Sequence, residues 1–118
     1  MPRVIDGDNL LGTWPGRGRG EDEKSALARE VDALRREDTS RILLVFDGPA
    51  PPYASHGPDV VFSGPEREAD AVILDHLRGE TDKKSWTVVT NDRSLADRCR
   101  ALGARVEAVR DFRERLRR

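Results

Sequence analysis

The stretch Arg3-Val4-Ile5-Asp6-Gly7-Asp8-Asn9-Leu10-Leu11 reads as a buried strand that delivers a carboxylate to its end and then turns sharply at a glycine. The same grammar returns at Ile42-Leu43-Leu44-Val45-Phe46-Asp47-Gly48 and at Trp86-Thr87-Val88-Val89-Thr90-Asn91-Asp92. Three apolar runs that each close on an aspartate mark one edge of a sheet as the working end of the protein.

Between these runs the chain supplies helices. Leu27, Val31 and Leu34, spaced i, i+4, i+7, place a helix over residues 22–38. Ser63-Gly64-Pro65-Glu66 reads as a helix start, with proline at the first position and acids in the first turn. Ala69, Val72, Ile73 and Leu77 then face inward as far as Arg78, and Gly79 stops the helix. Leu95, Cys99 and Leu102 mark a third helix ended by Gly103, and Phe112 with Leu116 anchors a last, charged one. Val60–Phe62 and residues 104–109 are further strands. Residues 12–20, rich in glycine, and 48–58, rich in proline, are surface loops. The order β-α-β-loop-β-α-β-α-β-α predicts one α/β domain over residues 1–118, a mainly parallel sheet with helices on both faces. In such sheets ligands bind outside the carboxyl ends of the strands, at the switch point of the strand order.

Bulk composition narrows the function. The 118 residues are 36% hydrophobic and 36% charged, with a formal net charge of -1. No global field draws the chain to nucleic acid or membrane, so a polyanion must be held by a local basic patch. There is no signal peptide and no apolar run of transmembrane length. The single cysteine, Cys99, excludes an internal disulfide and suits a reducing, cytoplasmic setting.

The chemistry lies in the acids. Asp6, Asp47 and Asp92 brought to one edge repel each other and raise each other's pKa unless a cation compensates. Asp70, beside the inward-facing Ala69 near a helix start, can lean over the same edge, and Glu66, four residues before it, would share its helix face. Oxygen-only ligands suit Mg²⁺ or Mn²⁺, which can activate water and neutralise phosphodiester charge. Asp92, before Arg93-Ser94-Leu95, is also a natural helix cap. His56, His76 and the lone cysteine make no zinc set, with His76 read as a helix-surface residue, and no Walker loop, nucleophile elbow or dinucleotide fingerprint is present. Arg17, Arg19 and Arg93 are the candidates for substrate phosphate, while Trp14 is read as packing rather than stacking on a base.

Taken together, Ile5-Asp6-Gly7-Asp8-Asn9-Leu10 with Gly12-Thr13-Trp14-Pro15, Val45-Phe46-Asp47-Gly48, Val60-Val61-Phe62-Ser63, Glu68-Ala69-Asp70-Ala71-Val72-Ile73 and Val88-Val89-Thr90-Asn91-Asp92-Arg93 resembles the YacP-like NYN domains, which belong to the PIN-like nucleases. The resemblance covers nearly the whole chain in order. It implies a three-layer α/β/α fold with strand order 3-2-1-4-5. It also implies a Mg²⁺- or Mn²⁺-dependent ribonuclease site in which Asp6, Asp47, Asp70 and Asp92 are catalytic and ligate metal. Asn9 matches the family's asparagine and would orient Asp6 or its water. Asp8 stands where the family carries a tyrosine, and Asn91 stands in place of a serine or threonine; with Asn9 it joins the expected substrate-binding set.

The expected activity is therefore endonucleolytic hydrolysis of RNA, with RNA as partner and room for a ribosome or RNA-associated protein that delivers it. Two other readings compete. One is a PIN-like domain that binds RNA or protein without catalysis. The other is a haloacid-dehalogenase-like phosphotransferase, suggested by Asp6-Gly7-Asp8 and Thr90 but lacking the lysine that should follow.

Overall fold

The computed structural model describes residues 1–38, 40–51 and 59–117. Its five strands, β1 (Arg3–Asp6), β2 (Ile42–Phe46), β3 (Val60–Phe62), β4 (Thr87–Val89) and β5 (Arg105–Glu107), form one sheet in the order β3-β2-β1-β4-β5. Every neighbouring pair is parallel. In register, Ile5 lies between Leu44 of β2 and Val89 of β4, so β1 is the central strand.

Alternation along the strands splits the core into two layers. Val4, Val45 and Val88 face one way, against Ala69, Ile73, Leu77, Leu95 and Cys99 of α3 (Ala69–Arg78) and α4 (Arg93–Ala101). Ile5, Leu44, Phe46 and Val89 face the other way, against α1 (Gly7–Gly12), α2 (Glu21–Asp38) and α5 (Val109–Leu116), through Leu10, Leu11, Leu27, Val31, Val109 and Phe112. Leu10, Leu11, Leu27, Ile73 and Leu77 are fully buried, each stabilising the fold by about 2 kcal/mol relative to exposure. The parallel sheet with helices on both faces is the one the order of elements predicted, and the three layers and the strand order 3-2-1-4-5 are those the family resemblance implied.

Three local expectations change. The chain winds into α1 directly after β1, where only a turn was read. Asp6 occupies the N-cap position and Thr13 closes the helix. Its Gly7-Asp8-Asn9 start is poor helix-forming sequence, and burial of Leu10 and Leu11 holds it instead.

The second correction concerns α3, which begins at Ala69 and not at Pro65. Gly64 takes φ +87° and donates its N–H to the Gly48 carbonyl at 2.8 Å, while the Gly48 N–H donates to Ser63 Oγ at 2.9 Å. Tied to the end of β2, the segment cannot wind until Glu68, the N-cap. Glu66 therefore lies outside the helix and does not share a helical face with Asp70.

Third, His76 is not a surface residue. It is half-buried, edge-on to Trp86 with ring centroids 4.6 Å apart, and burial lowers its pKa. A short 3₁₀ turn, Lys83–Ser85, which the sequence did not announce, leads into β4. Of the loop expected over 48–58, residues 52–58, including His56, lie outside the described residues. No described helix is long and apolar enough to cross a membrane.

Candidate active site at the carboxyl edge of the sheet

Neighbouring β1 runs on to β2 on one side and lies beside β4 on the other, so the switch point falls between β1 and β4. A cleft of about 350 Å³ opens there. Asp6, Asp8, Asp47, Glu68, Asp70 and Asp92 line it, with Arg19 as the only basic residue among its described walls. Six carboxylates against one guanidinium make the cleft strongly attractive to cations.

Asp6 is the deepest of them, 6% exposed at the end of the central strand. Its pKa is pushed up to about 6, first by burial, then by the charges of Asp70 and Asp8. The Thr90 hydroxyl and the Asn9 backbone amide partly counter that rise. Thr90, 2% exposed, donates its hydroxyl to Asp6 Oδ2 at 3.0 Å and accepts the Asp92 N–H at 3.0 Å. One hydroxyl thus ties the end of β1 to the start of α4.

Asp92 caps α4 as its sequence context suggested: Oδ1 accepts the Leu95 N–H at 3.2 Å. The second carboxylate oxygen is left to the cleft. Asp70, in the first turn of α3, carries a raised pKa, chiefly from burial and then from Asp92, with Glu68 and Asp47 adding to it and Arg98 opposing it. Arg98 Nη2 lies 3.5 Å from Asp70 Oδ2.

Asp47 is exposed but anchored. Its Oδ1 accepts the Ala69 N–H at 2.8 Å and the Ser63 hydroxyl at 3.4 Å, so the end of β2 holds the start of α3 and with it Asp70. Asp8 in turn accepts the Asp47 N–H at 2.6 Å and faces Lys24 at 3.6 Å. Asp8 is thus a strut under Asp47.

The other expected site residues divide. Asn9 lines the cleft, and its Oδ1 accepts the Asn91 N–H at 2.7 Å. Asn91 Oδ1 accepts the Val109 N–H at 3.1 Å, so this exposed side chain secures the start of α5. Arg93 is exposed at the first position of α4 and is not among the cleft walls. Arg17 is half-buried, ion-paired with Glu23 and with Glu30, and lies 4.5 Å over the ring of Trp14. Trp14 packs onto the α2 side of the core, as read from the sequence. Arg19 stands at the cleft itself, its guanidinium seated on Gly12, where a Cβ would meet Nε at 2.9 Å and Cζ at 3.0 Å.

Thr90, Glu68 and Arg98 enter the site without having been singled out for it. A threonine closing the strand before Asp92 was the one visible signal, since that position faces the neighbouring strand end. Among the described residues, no group of three His, Cys, Asp or Glu side chains converges closely enough to hold a metal ion by itself.

A family model described as the YacP-like NYN domain matches residues 3–118. The fold is that of two crystal structures of Rae1 (YacP) from Bacillus subtilis. One superposes with a TM-score of 0.81 at 19% identity, covering 99% of this chain and 74% of that one. A mutant form of the same protein gives 0.82 at 20% identity, covering 98% and 74%. No curated protein matches the chain in sequence.

Proposed function

This chain belongs to the YacP-like NYN domain family, a PIN-like nuclease family, and from that premise we propose that it is a Mg²⁺- or Mn²⁺-dependent endoribonuclease. The observation that carries the reading is the buried Asp6 at the switch point, under the charges of Asp70 and Asp8 in a cleft of six carboxylates that Asp92 also lines.

The donor set fits a hard cation. Among the described cleft walls it is all oxygen, with neither imidazole nor thiolate. The pKa of Asp6 and of Asp70 is raised first by burial and then by neighbouring carboxylates, and a divalent ion would favour the charged form of both. Among the described residues no three acids close on a point, so an ion here would take one or two carboxylates directly and keep several waters. Asp6 and Asp92 are the central ligands in this reading, with Asp47 and Asp70 completing the site or holding its waters. Bound there, the ion would neutralise phosphodiester charge and supply a nucleophile at neutral pH.

The chain's own groups do the rest. Thr90 fixes the Asp6 carboxylate, Asp47 fixes Asp70 by capping α3, and Asp92 keeps one oxygen for the cleft. Arg19 holds a substrate phosphate, with Arg93 available at the α4 terminus. Arg17, Asn9 and Asn91 support this binding surface through their ties to Trp14, Asn91 and α5. The substrate is RNA in the cytoplasm, and with a net charge of -1 a ribosome or RNA-associated protein would help to deliver it.

Asp6→Asn tests the reading. It keeps an acceptor for Thr90 and removes the charge, so Mn²⁺-stimulated RNA cleavage should vanish while the circular dichroism spectrum is unchanged. Cleavage at the wild-type rate in that variant would end the proposal. A second reading, RNA binding without catalysis, draws on the dispersed acids; it requires RNA affinity that is indifferent to metal.

A further inference from the structure

The cleft sits on the sheet edge, between two helical layers that carry different cations. On the α1–α2 side is Arg19, which has no ion pair among the described residues and rests on the bare backbone of Gly12. On the α3–α4 side is Arg98, 53% exposed and paired with Asp70. Of the other nearby arginines, Arg17 is committed to Glu23, Glu30 and Trp14, Arg100 faces Asp97, and Arg93 at the start of α4 is not among the cleft walls.

Building on the nuclease reading, we infer that a single RNA strand crosses the sheet edge from one helical layer to the other, gripped by Arg19 on the α1–α2 rim and by Arg98 on the α3–α4 rim, with the scissile phosphate over the carboxylates between them. Arg98 is latched in the free protein and released in the complex. Its pair with Asp70 is a single 3.5 Å contact from a guanidinium that is itself 53% exposed, and solvent screens it. Arg98 would leave Asp70 for a strand phosphate, a bidentate acceptor that suits a guanidinium better, once a divalent ion held by the acids compensated the charge of Asp70. Grip on both sides of the scissile position requires phosphates flanking it, so a dinucleotide is too short to use both arginines.

The experiment measures binding of a fluorescein-labelled 2′-O-methyl RNA octanucleotide and of the corresponding dinucleotide by anisotropy in Mg²⁺, across a salt series. Wild type, Arg19→Gln, Arg98→Gln and Arg98→Lys are compared. Each glutamine variant should weaken octanucleotide binding roughly three- to tenfold and flatten the log–log salt slope by about 0.7, the value for one phosphate contact on a single strand. Arg98→Lys should keep the wild-type slope. Arg98→Gln should also bind Mn²⁺ more tightly in calorimetry without RNA, because Asp70 has lost its counterion; a purely structural role for Arg98 would not do this. The dinucleotide should not feel both substitutions.

Octanucleotide affinity and salt slope unchanged in Arg98→Gln would overturn the path, even if wild-type protein cleaves RNA. Binding that depends on both arginines, with no cleavage in Mn²⁺, would sustain the path and remove the catalytic reading. Failure of wild type to bind the octanucleotide would remove both.

Discussion

The Thr90 hydroxyl donates to Asp6 Oδ2 at 3.0 Å, joining the end of the sheet's central strand to the strand that leads into Asp92. Both residues are buried, so this bond, together with the Asn9 backbone amide, sets the direction of the deepest carboxylate in the cleft. Thr90→Val keeps the shape and deletes the donor. Asp6 should then hold its proton to higher pH, and the acid limb of the metal-dependent rate profile should move upward. The rate should fall severalfold at pH 6.5, with a smaller loss at pH 8.5. A pH–rate profile of this variant provides the check.

Asp6 also makes stability depend on pH. Its folded pKa of about 6 lies above the unfolded value of 3.8, so the folded state binds the proton more tightly in that window. The contribution of Asp6 to stability is therefore most favourable below about pH 4, falls as pH rises through the window, and reaches its full penalty above about 6, of the order of 3 kcal/mol. In metal-free buffer, Asp6→Asn should be more stable than wild type by a comparable amount at pH 8 and by nearly nothing at pH 4. Urea unfolding at the two pH values measures the difference.

Asp47 serves two purposes that substitutions can separate. Its Oδ1 accepts the Ala69 N–H at the start of α3. Asp47→Ala should cost about 1 kcal/mol, the usual loss for a helix-capping acceptor. Asp47→Asn keeps an acceptor, so stability should stay within about 0.5 kcal/mol of wild type while cleavage falls sharply. Denaturant midpoints and single-turnover rates on the two variants distinguish capping from charge.

Gly7 is where strand, helix and core meet. A Cβ there would lie 2.5 Å from Cε1 and 2.6 Å from Cδ1 of the Phe46 ring, and 3.0 Å from the Val45 carbonyl oxygen. Phe46 is fully buried and cannot retreat. Gly7→Ala should destabilise by about 1–3 kcal/mol through overpacking, and thermal unfolding should show it directly.

Much of this arrangement was legible because it is local. An apolar run that closes on Asp6 or Asp47 announces both a buried parallel strand and the residue it presents, and Asp92 before Arg93-Ser94-Leu95 announces a cap. What stayed hidden joins residues far apart in sequence. Thr90 meets Asp6 across 84 positions, Asn91 meets Asn9 across 82, and Asp47 meets Asp8 across 39. No spacing rule encodes such pairs. The late start of α3 was missed for the same reason: Pro65 and Glu66 carry a helix-start signal, but Gly64 and Ser63 are tied to Gly48. Arg17 and Arg19 are two residues apart and similar in sequence context, yet Glu23, Glu30 and Trp14 engage one while the other faces the cleft.

A crystal soaked in Mn²⁺, recorded at the manganese absorption edge, tests the central claim most directly. The account expects an anomalous peak in the cleft within about 2.0–2.3 Å of carboxylate oxygens of Asp6 and Asp92, with further positions filled by water. Anomalous density absent from the cleft at millimolar Mn²⁺, or present only at other acids on the surface, would contradict it.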